Sequence, residues 1–355
     1  MLTVRTSPHD HDSISTDKAM LYVVMALLPS ALWGCVMFGF RAVLVLFVSI
    51  ASSLLTEWLL VKMNKENTLL DYSALVTGLL IGMNMPPSIP LLIPVLASLF
   101  AIFVVKWTFG GLGCNWANPA IAGRVFVFFS FSSLMSKFST PWVLKSSAEL
   151  VSSATPLSAL KMEISSGLSS EAILSASGVP VSGIAASLSS SMGINPYVVD
   201  EFLGFASGCI GEVSALLLLA GGLFLIFKKV ISWRIPTCYI LSYAILQWVF
   251  GGVRCGNGLC SGEVLLPILS GGLMLGAFFM ATDWVTTPTT PKGEIIFAVG
   301  CGLFTFIIRC FGSLAEGVSL AILLMNMVSP TIDRFCKAKK FGYVKPPKKE
   351  KGAKA

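Results

Sequence analysis

Two stretches decide the fold: "GLLIGMNMPPSIP", Gly78 to Pro90, and "GAFFMATDWVTTP", Gly276 to Pro288. Each opens on a glycine, runs through apolar residues, meets a small polar break and stops on a proline at one constant offset. Proline ends a helix because it lacks a donor and its ring clashes with the preceding turn. Inside a membrane, such an interruption leaves backbone groups that must be buried in protein or bound to something. The two stretches fall in the third and eighth apolar segments of the chain, which cross a membrane in opposite directions. That is the pattern of an inverted repeat of five plus five helices. Proline-terminated helices also resemble one another without any repeat, and the sequence alone leaves both readings open.

Working outward, the 355 residues are 55% hydrophobic and 12% charged, with a mean hydropathy of +0.81. A soluble domain carries roughly a quarter charged residues, so a water-facing surface of this size has no source. Apolar segments long enough to cross a hydrocarbon core of about 30 Å are expected at 20–38, 41–61, 69–85, 89–107, 118–135, 204–227, 235–253, 263–281, 294–311 and 314–331. The expected fold is therefore an all-α integral membrane protein of about ten transmembrane helices. It divides into an N-terminal segment 1–19, a first five-helix repeat 20–135, a loop 136–203, a second repeat 204–331 and a basic tail 332–355.

Charge sets the orientation. Nine Lys and Arg residues lie between Arg334 and Lys354, and Lys62, Lys65, Lys106, Lys228, Lys229, Arg234 and Lys292 are read as loop cations on the same side. The opposite short loops hold little beyond Arg41, Arg254 and Arg309. By the positive-inside rule both termini are cytoplasmic, and the loop from Ser136 to Leu203 faces outward. In that loop Ala148 to Lys161 looks amphipathic and ordered, and the remainder reads as a flexible collar. The formal charge of +7 does not point to nucleic acid, because much of it sits in a basic tail just after a span, the expected cytoplasmic flank. No CxxC motif marks a zinc or iron–sulfur site, and no metal is expected. Cys255 and Cys260, in "GGVRCGNGLC", are close enough in sequence for a strained disulfide but read as free thiols.

Four groups of residues carry possible chemistry. Thr155, in "SSATPL", has no activating base: the only histidines are His9 and His11, so hydrolase chemistry fails. Pro156 biases Thr155 to an extended backbone, which suits either an acceptor hydroxyl for a modifying enzyme or a plain serine-rich turn. "FGGLGCNWANPAIAGR" supplies Asn115 and Asn118 beside a helix start, with Arg124 inside a span, where a cation is costly and marks function. "MATDWVTTPTTPKG" places Asp283, Thr286 and Thr287 at a helix break, suited to a cation, to the polar edge of a flavin ring, or to a capped turn. Finally Glu57, Asp71, Glu316 and Asp333 are sparse acids at span ends. With Asp283, the three acids Glu57, Asp71 and Asp333 are candidates for an ion path, because hard cations prefer oxygen; each also suits a headgroup-level position, the commoner case for any one such acid.

"SPHDHDSISTDKAMLYVVMALLPSALWG", "GGLGCNWANPAIAGR", "FFMATDWVTTPTTPKG" and "EGVSLAILLMNMVSPTID" together resemble one family in the expected order along nearly the whole chain. It comprises the RnfD protein of Rnf complexes and its homologue NqrB, the B subunit of sodium-pumping NADH:quinone oxidoreductase. The resemblance implies an FMN joined by a phosphoester to Thr155, placed by a flavin transferase that uses FAD. The motif reads Ser152-Ser153-Ala154-Thr155, with Ser153 where the family has glycine. It further implies a non-covalent riboflavin, for which Asn115, Asn118, Arg124, Asp283, Thr286 and Thr287 are candidates. Because "SPH" begins at residue 7, the chain resembles RnfD more than the longer NqrB. The implied role is a translocase subunit of the bacterial inner membrane, not catalytic alone. It would pass electrons between ferredoxin and NAD, with the A, B, C, E and G proteins of the Rnf complex as partners, while Na+ or H+ crosses the lipid bilayer. An NqrB-like subunit of a quinone reductase, a non-redox transporter or channel, and a scaffold subunit are the rival readings.

Overall fold

Asparagine followed by proline starts two of the helices. Asn118 accepts from the amide of Ala120 and Asn195 from that of Tyr197, with Pro119 and Pro196 at the first helical position. This pairing satisfies an otherwise orphaned N–H and pre-sets the backbone for a helix. In the computed structural model residues 15–64, 71–144, 155–162, 170–254, 258–312, 314 and 316–337 are described.

The chain is all-α. The first half comprises α1 (Thr16–Phe38), α2 (Phe40–Asn64), α3 (Ser73–Met83), α4 (Leu92–Trp107) and α5 (Pro119–Ser130). Four short helices follow: α6 (Pro156–Met162), α7 (Ser170–Ala176), α8 (Gly183–Met192) and α9 (Pro196–Leu203). The second half holds α10 (Ala215–Phe227), α11 (Arg234–Arg254), the short α12 (Leu265–Leu269), then α13 (Leu273–Leu275) running on as the π-helix Gly276–Met280. It ends with α14 (Pro291–Phe311) and α15 (Val318–Phe335).

Four helices, Thr16–Phe38, Phe40–Met63, Pro291–Phe311 and Val318–Phe335, are long and apolar enough to cross a membrane, and four shorter apolar helices accompany them. Their outward faces are oily: Phe40, Phe47, Phe311 and Phe335 are 74%, 67%, 71% and 85% exposed. Water would penalise such a surface and lipid would not. The contacts between helices are the reverse, close and lined by small polar groups. The Ser49 hydroxyl donates to the Gly78 carbonyl at 2.6 Å and the Ser98 hydroxyl to the Ser49 carbonyl at 3.1 Å. A Cβ on Gly78 would lie 2.8 Å from the Ile50 Cα, so α2 and α3 meet almost backbone to backbone.

Three expected spans differ from what folds. The segment expected at 204–227 is helical only from Ala215, where the Ser214 hydroxyl caps the Leu217 amide. Its first part is irregular and buried. Ile210 and Gly211 donate their amides to the carbonyls of Met85 and Met83 at 3.1 and 2.7 Å, which are the groups left free where α3 stops. Two interruptions thus satisfy each other's backbone, the condition for non-helical chain at membrane depth.

The segment expected at 263–281 is broken at Gly271 and Gly272, both at positive φ (67° and 70°). A side chain at Gly271 would strike the Arg309 guanidinium and one at Gly272 the Glu212 carboxylate, so only glycine fits at either position. The segment expected at 69–85 is helical over Ser73–Met83 and breaks at Asn84, ahead of Pro86.

The flexible collar expected over the outer loop is corrected in its described part. Residues 170–203 are largely helical, and Leu174, Val179, Tyr197 and Val198 pack with Ala159 of α6 and Leu266 of α12 into a small core of their own. Composition misleads here: serine and glycine are abundant, but the apolar residues between them recur on one face of each short helix.

Candidate functional site

The π-helical stretches of α4, Phe100–Trp107, and of α13, Gly276–Met280, border one large cavity of about 320 Å³. Its walls are mostly apolar, with Val76, Leu80, Phe278 and Phe279 prominent, and it begins at Thr16 and Ala19 of α1. Polar groups enter at few points: Asn115, Asn118, Lys106, Ser73, Thr77, Thr282 and Asp283. Asn118 is fixed twice, by capping Ala120 and by donating its amide to the Met280 carbonyl at 3.1 Å. Asn115 donates to the Ala117 carbonyl at 3.2 Å. Asp283 accepts from the Thr286 hydroxyl at 3.1 Å, and its carbonyl accepts from Thr287 at 2.9 Å.

Lys106 is not the loop cation its sequence position suggests. It is 2% exposed and donates to Glu57 and to the Ser73 hydroxyl, both at 2.6 Å. Ser73 in turn donates to Asp71 at 2.7 Å. A chain Glu57–Lys106–Ser73–Asp71 therefore stiffens one wall of the cavity, and two of the expected ion-path acids act as its ends. Glu57 is 0% exposed, closed in protein rather than open to solvent. Asp333 lies apart and accepts from the Thr289 amide at 3.1 Å.

Of the six residues expected to line a flavin site, the structure brings together Asn115, Asn118 and Asp283. Thr286 and Thr287 support Asp283 from behind. Arg124 belongs to a second centre. Its guanidinium donates to Asn84 Oδ1 and Ser319 Oγ, each at 2.8 Å, and to Glu316 at 2.5 Å, and stands 3.5 Å from Glu212. Cys209 Sγ lies 3.7 Å away. Ligand atoms of Cys209, Glu212 and Glu316 lie within 4.8 Å of one another, and Arg124 supplies the positive charge among them. Arg309, also expected in a loop, is 5% exposed. It donates to the Tyr243 hydroxyl and to the carbonyls of Pro267, Ser270 and Gly271 at 2.6–3.1 Å, spending itself on the groups freed by the break at Gly271.

Thr155 caps this second centre. It is 7% exposed; its hydroxyl accepts from the Ser158 amide at 3.2 Å and lies 3.0 Å from the Ser158 hydroxyl. It lines a small cavity of about 10 Å³ with Glu201, Ser207, Glu212, Ser270 and Glu316. Ser152, Ser153 and Ala154 lie outside the described residues, as does Cys255; Cys260 is a free thiol.

The family of NQR2, RnfD and RnfE matches residues 3–342. The chain belongs to the NQR2, RnfD, RnfE family. It is 41% identical over 353 residues, covering 99% of itself and 98% of the relative, to the D subunit of the Na(+)-translocating ferredoxin:NAD(+) oxidoreductase complex of Acetobacterium woodii. It is 40% identical over 343 residues, 96% of each chain, to the D subunit of the proton-translocating ferredoxin:NAD(+) oxidoreductase complex of Clostridium ljungdahlii. With the D subunit of the ion-translocating oxidoreductase complex of Stutzerimonas stutzeri it shares 35% over 348 residues, 92% of each. Membership in the NQR2, RnfD, RnfE family makes the chain a membrane-embedded subunit of an ion-translocating oxidoreductase, not catalytic alone.

Sequence reasoning misses Lys106, Ser73, Glu201, Glu212 and Arg309 as site residues. For Lys106 a signal is present: a lone lysine inside the apolar run "FAIFVVKW". For Glu201 there is none, since it precedes an apolar segment as a headgroup acid would; Glu212 falls inside the span expected at 204–227, where a lone acid is itself a signal.

Proposed function

We propose that this chain is the covalent-flavin RnfD component of an Rnf-type complex. In this reading it passes electrons between ferredoxin and NAD while Na+ or H+ crosses the inner membrane. Full-length similarity to two ferredoxin:NAD(+) oxidoreductase D subunits, at 41% and 40% identity, carries the reading. One of these relatives is named for sodium and the other for protons, so both ions stay within it. The partners are the A, B, C, E and G proteins of the Rnf complex, with a flavin transferase for maturation. The chain holds ten spans in two inverted sets of five, with domains at 1–19, 20–135, 136–203, 204–331 and 332–355. Both termini are cytoplasmic and the loop bearing Thr155 is outside. The helix order supports the repeat: α1 to α5 and α10 to α15 each run apolar helix, long second helix, a third that breaks, then two more helices.

The reading assigns two flavins. The transferase joins the FMN phosphate of FAD to the Thr155 hydroxyl and releases AMP. Thr155 is the acceptor because its hydroxyl, among the described residues, is bonded to Ser158 alone. The adjoining cavity of about 10 Å³ is too small for a flavin, so attachment requires Thr155 to leave Ser158 and the ring to lie elsewhere. The cavity of about 320 Å³ falls in the range of about 300–1,000 Å³ that holds small cofactors. Its apolar walls and few amides suit a flat ring with one polar edge, so Asn115, Asn118 and Asp283 would hold a riboflavin there. Bound flavin supplies one- and two-electron redox steps. This chain's residues orient it, exclude water and balance charge around it.

The test is in-gel fluorescence of the chain denatured after coexpression with the transferase. Fluorescence that survives denaturation, and disappears in Thr155→Ala, is expected. A denatured wild-type chain without flavin would overturn the assignment and favour a non-redox transporter of the same architecture.

A further inference from the structure

Beneath Thr155 the buried charges do not balance. The carboxyls of Glu201, Glu212 and Glu316 face the guanidiniums of Arg124 and Arg309. Arg124 is taken by Glu316 at 2.5 Å, with Glu212 at 3.5 Å. Arg309 directs its bonds to Tyr243 and to three carbonyls and makes none to a carboxylate among the described residues. Glu201, 4% exposed, has neither a hydrogen bond nor an ion pair among the described residues. Glu212 Oε1 and Ser270 Oγ are likewise buried without a hydrogen-bond partner. All three residues line the same cavity of about 10 Å³, which is at the lower limit of about 10–15 Å³ for a single water.

The remaining charged neighbours do not repair the deficit. Asp200, next to Glu201, is satisfied by the Ser182 amide at 3.0 Å and by the Ser182 hydroxyl. The Lys161 ammonium, at the half-buried rim, donates to the Leu314 carbonyl. Cys209, Tyr239 and Tyr243 are further titratable groups around the cluster, and Glu171 of α7 lies farther out beside Tyr197. An unpaired buried carboxylate is costly enough that such groups take a proton or a partner.

We propose that this cluster is a proton-holding site, taking up one exchangeable proton at the carboxyls of Glu201 and Glu212 around a single water that the Ser270 hydroxyl also contacts. The reaction is a simple carboxylate plus proton equilibrium, with solvent on the Thr155 side as the source. Burial, reinforced by Glu212 and Asp200 and opposed by Arg309, raises Glu201 from 4.5 to about 8. The site therefore stays protonated at neutral pH. Its use in ion movement rests on the function proposed above; the proton uptake itself does not.

The test is infrared spectroscopy of the full-length chain in lipid nanodiscs, following the carbonyl stretch of a protonated carboxylic acid. The band is expected to persist at neutral pH and to vanish as the pH rises through about 8. It should be lost or halved in Glu201→Gln and Glu212→Gln and be indifferent to exchange of Na+ for choline. It should survive in Thr155→Ala, which separates this site from the flavin assignment. Absence of the band at neutral pH would overturn the proposal, as would its persistence in both glutamine variants. A band suppressed by Na+ would also overturn it, placing a sodium ion where we place a proton. If neither variant reaches the membrane, the wild-type titration and Ser270→Ala still decide. Ser270→Ala keeps the carbonyl that holds Arg309 and is expected to move the midpoint; an unmoved midpoint counts against the shared water.

Discussion

The two buried centres differ in how they are filled. The one beside α1 is roomy, about 320 Å³; its wall cation Lys106 is paired with Glu57, and Asp283 is held by the Thr286 hydroxyl. The one beneath Thr155 is nearly closed, about 10 Å³, and holds more carboxyls than guanidiniums. A roomy cavity with mostly apolar walls is suited to an uncharged or delocalised guest held by shape. A closed site with an excess of negative charge is suited to a small positive one. The contrast teaches that in this chain volume and charge are assigned to separate places, even though both centres sit where helices are interrupted.

The largest expected effect breaks the second centre. Arg124→Ala strips Glu316, Asn84 and Ser319 of their shared donor and leaves two buried carboxylates unpaired. Removing one partner of a buried pair costs about 3–5 kcal/mol, so thermal unfolding in detergent should show a chain with little folded population. Arg124→Lys should recover only part, because one ammonium cannot reproduce the several directed bonds. The matching change at the first centre, Lys106→Met, removes the cation paired with buried Glu57 and should cost up to ~3–5 kcal/mol. Adding Glu57→Gln should restore most of that loss in the double variant, and a double variant no better than the single one would show that the pair does not act as a unit.

Asn118→Ala is a milder probe of the roomy cavity. It removes the cap on α5, worth ~1 kcal/mol, and frees the Met280 carbonyl. Flavin released by acid extraction should fall while the covalent flavin stays, and unchanged extractable flavin would separate this cavity from that cofactor.

A further expected effect is the pH dependence at Glu201. Its carboxyl is raised from 4.5 to about 8 when folded, so between those values the folded chain binds more protons than the unfolded one. Stability then falls as pH rises across that window and is level above it. Subtracting the Glu201→Gln profile from wild type should isolate this slope, and a slope of the opposite sign would contradict the burial of an unpaired carboxyl.

Much of the fold was legible because lipid makes length and apolarity sufficient to mark α1, α2, α14 and α15. The points where the chain breaks were not. "GFASGCIGEVS" at 204–214 reads as the start of a span, because nothing local reveals that Met83 and Met85 will offer carbonyls to its amides. Arg309 is read as a loop cation and Lys106 is a lone lysine near the end of an apolar run, and the burial of both is decided by partners far along the chain: Glu57, and the carbonyls around Gly271. In the site, Asn115, Asn118 and Asp283 were legible as polar groups at helix breaks, and the structure puts all three on one cavity. Arg124 was legible as costly, but its partners were not, since Glu212 and Glu316 come from the other half of the chain.

Mass spectrometry of the peptide containing Thr155, from chain coexpressed with the flavin transferase, tests the central claim most directly. A mass increase of one FMN less one water, localised by fragmentation to Thr155, is the predicted result. An unmodified Thr155, or the same increase on Ser152 or Ser153, would contradict it.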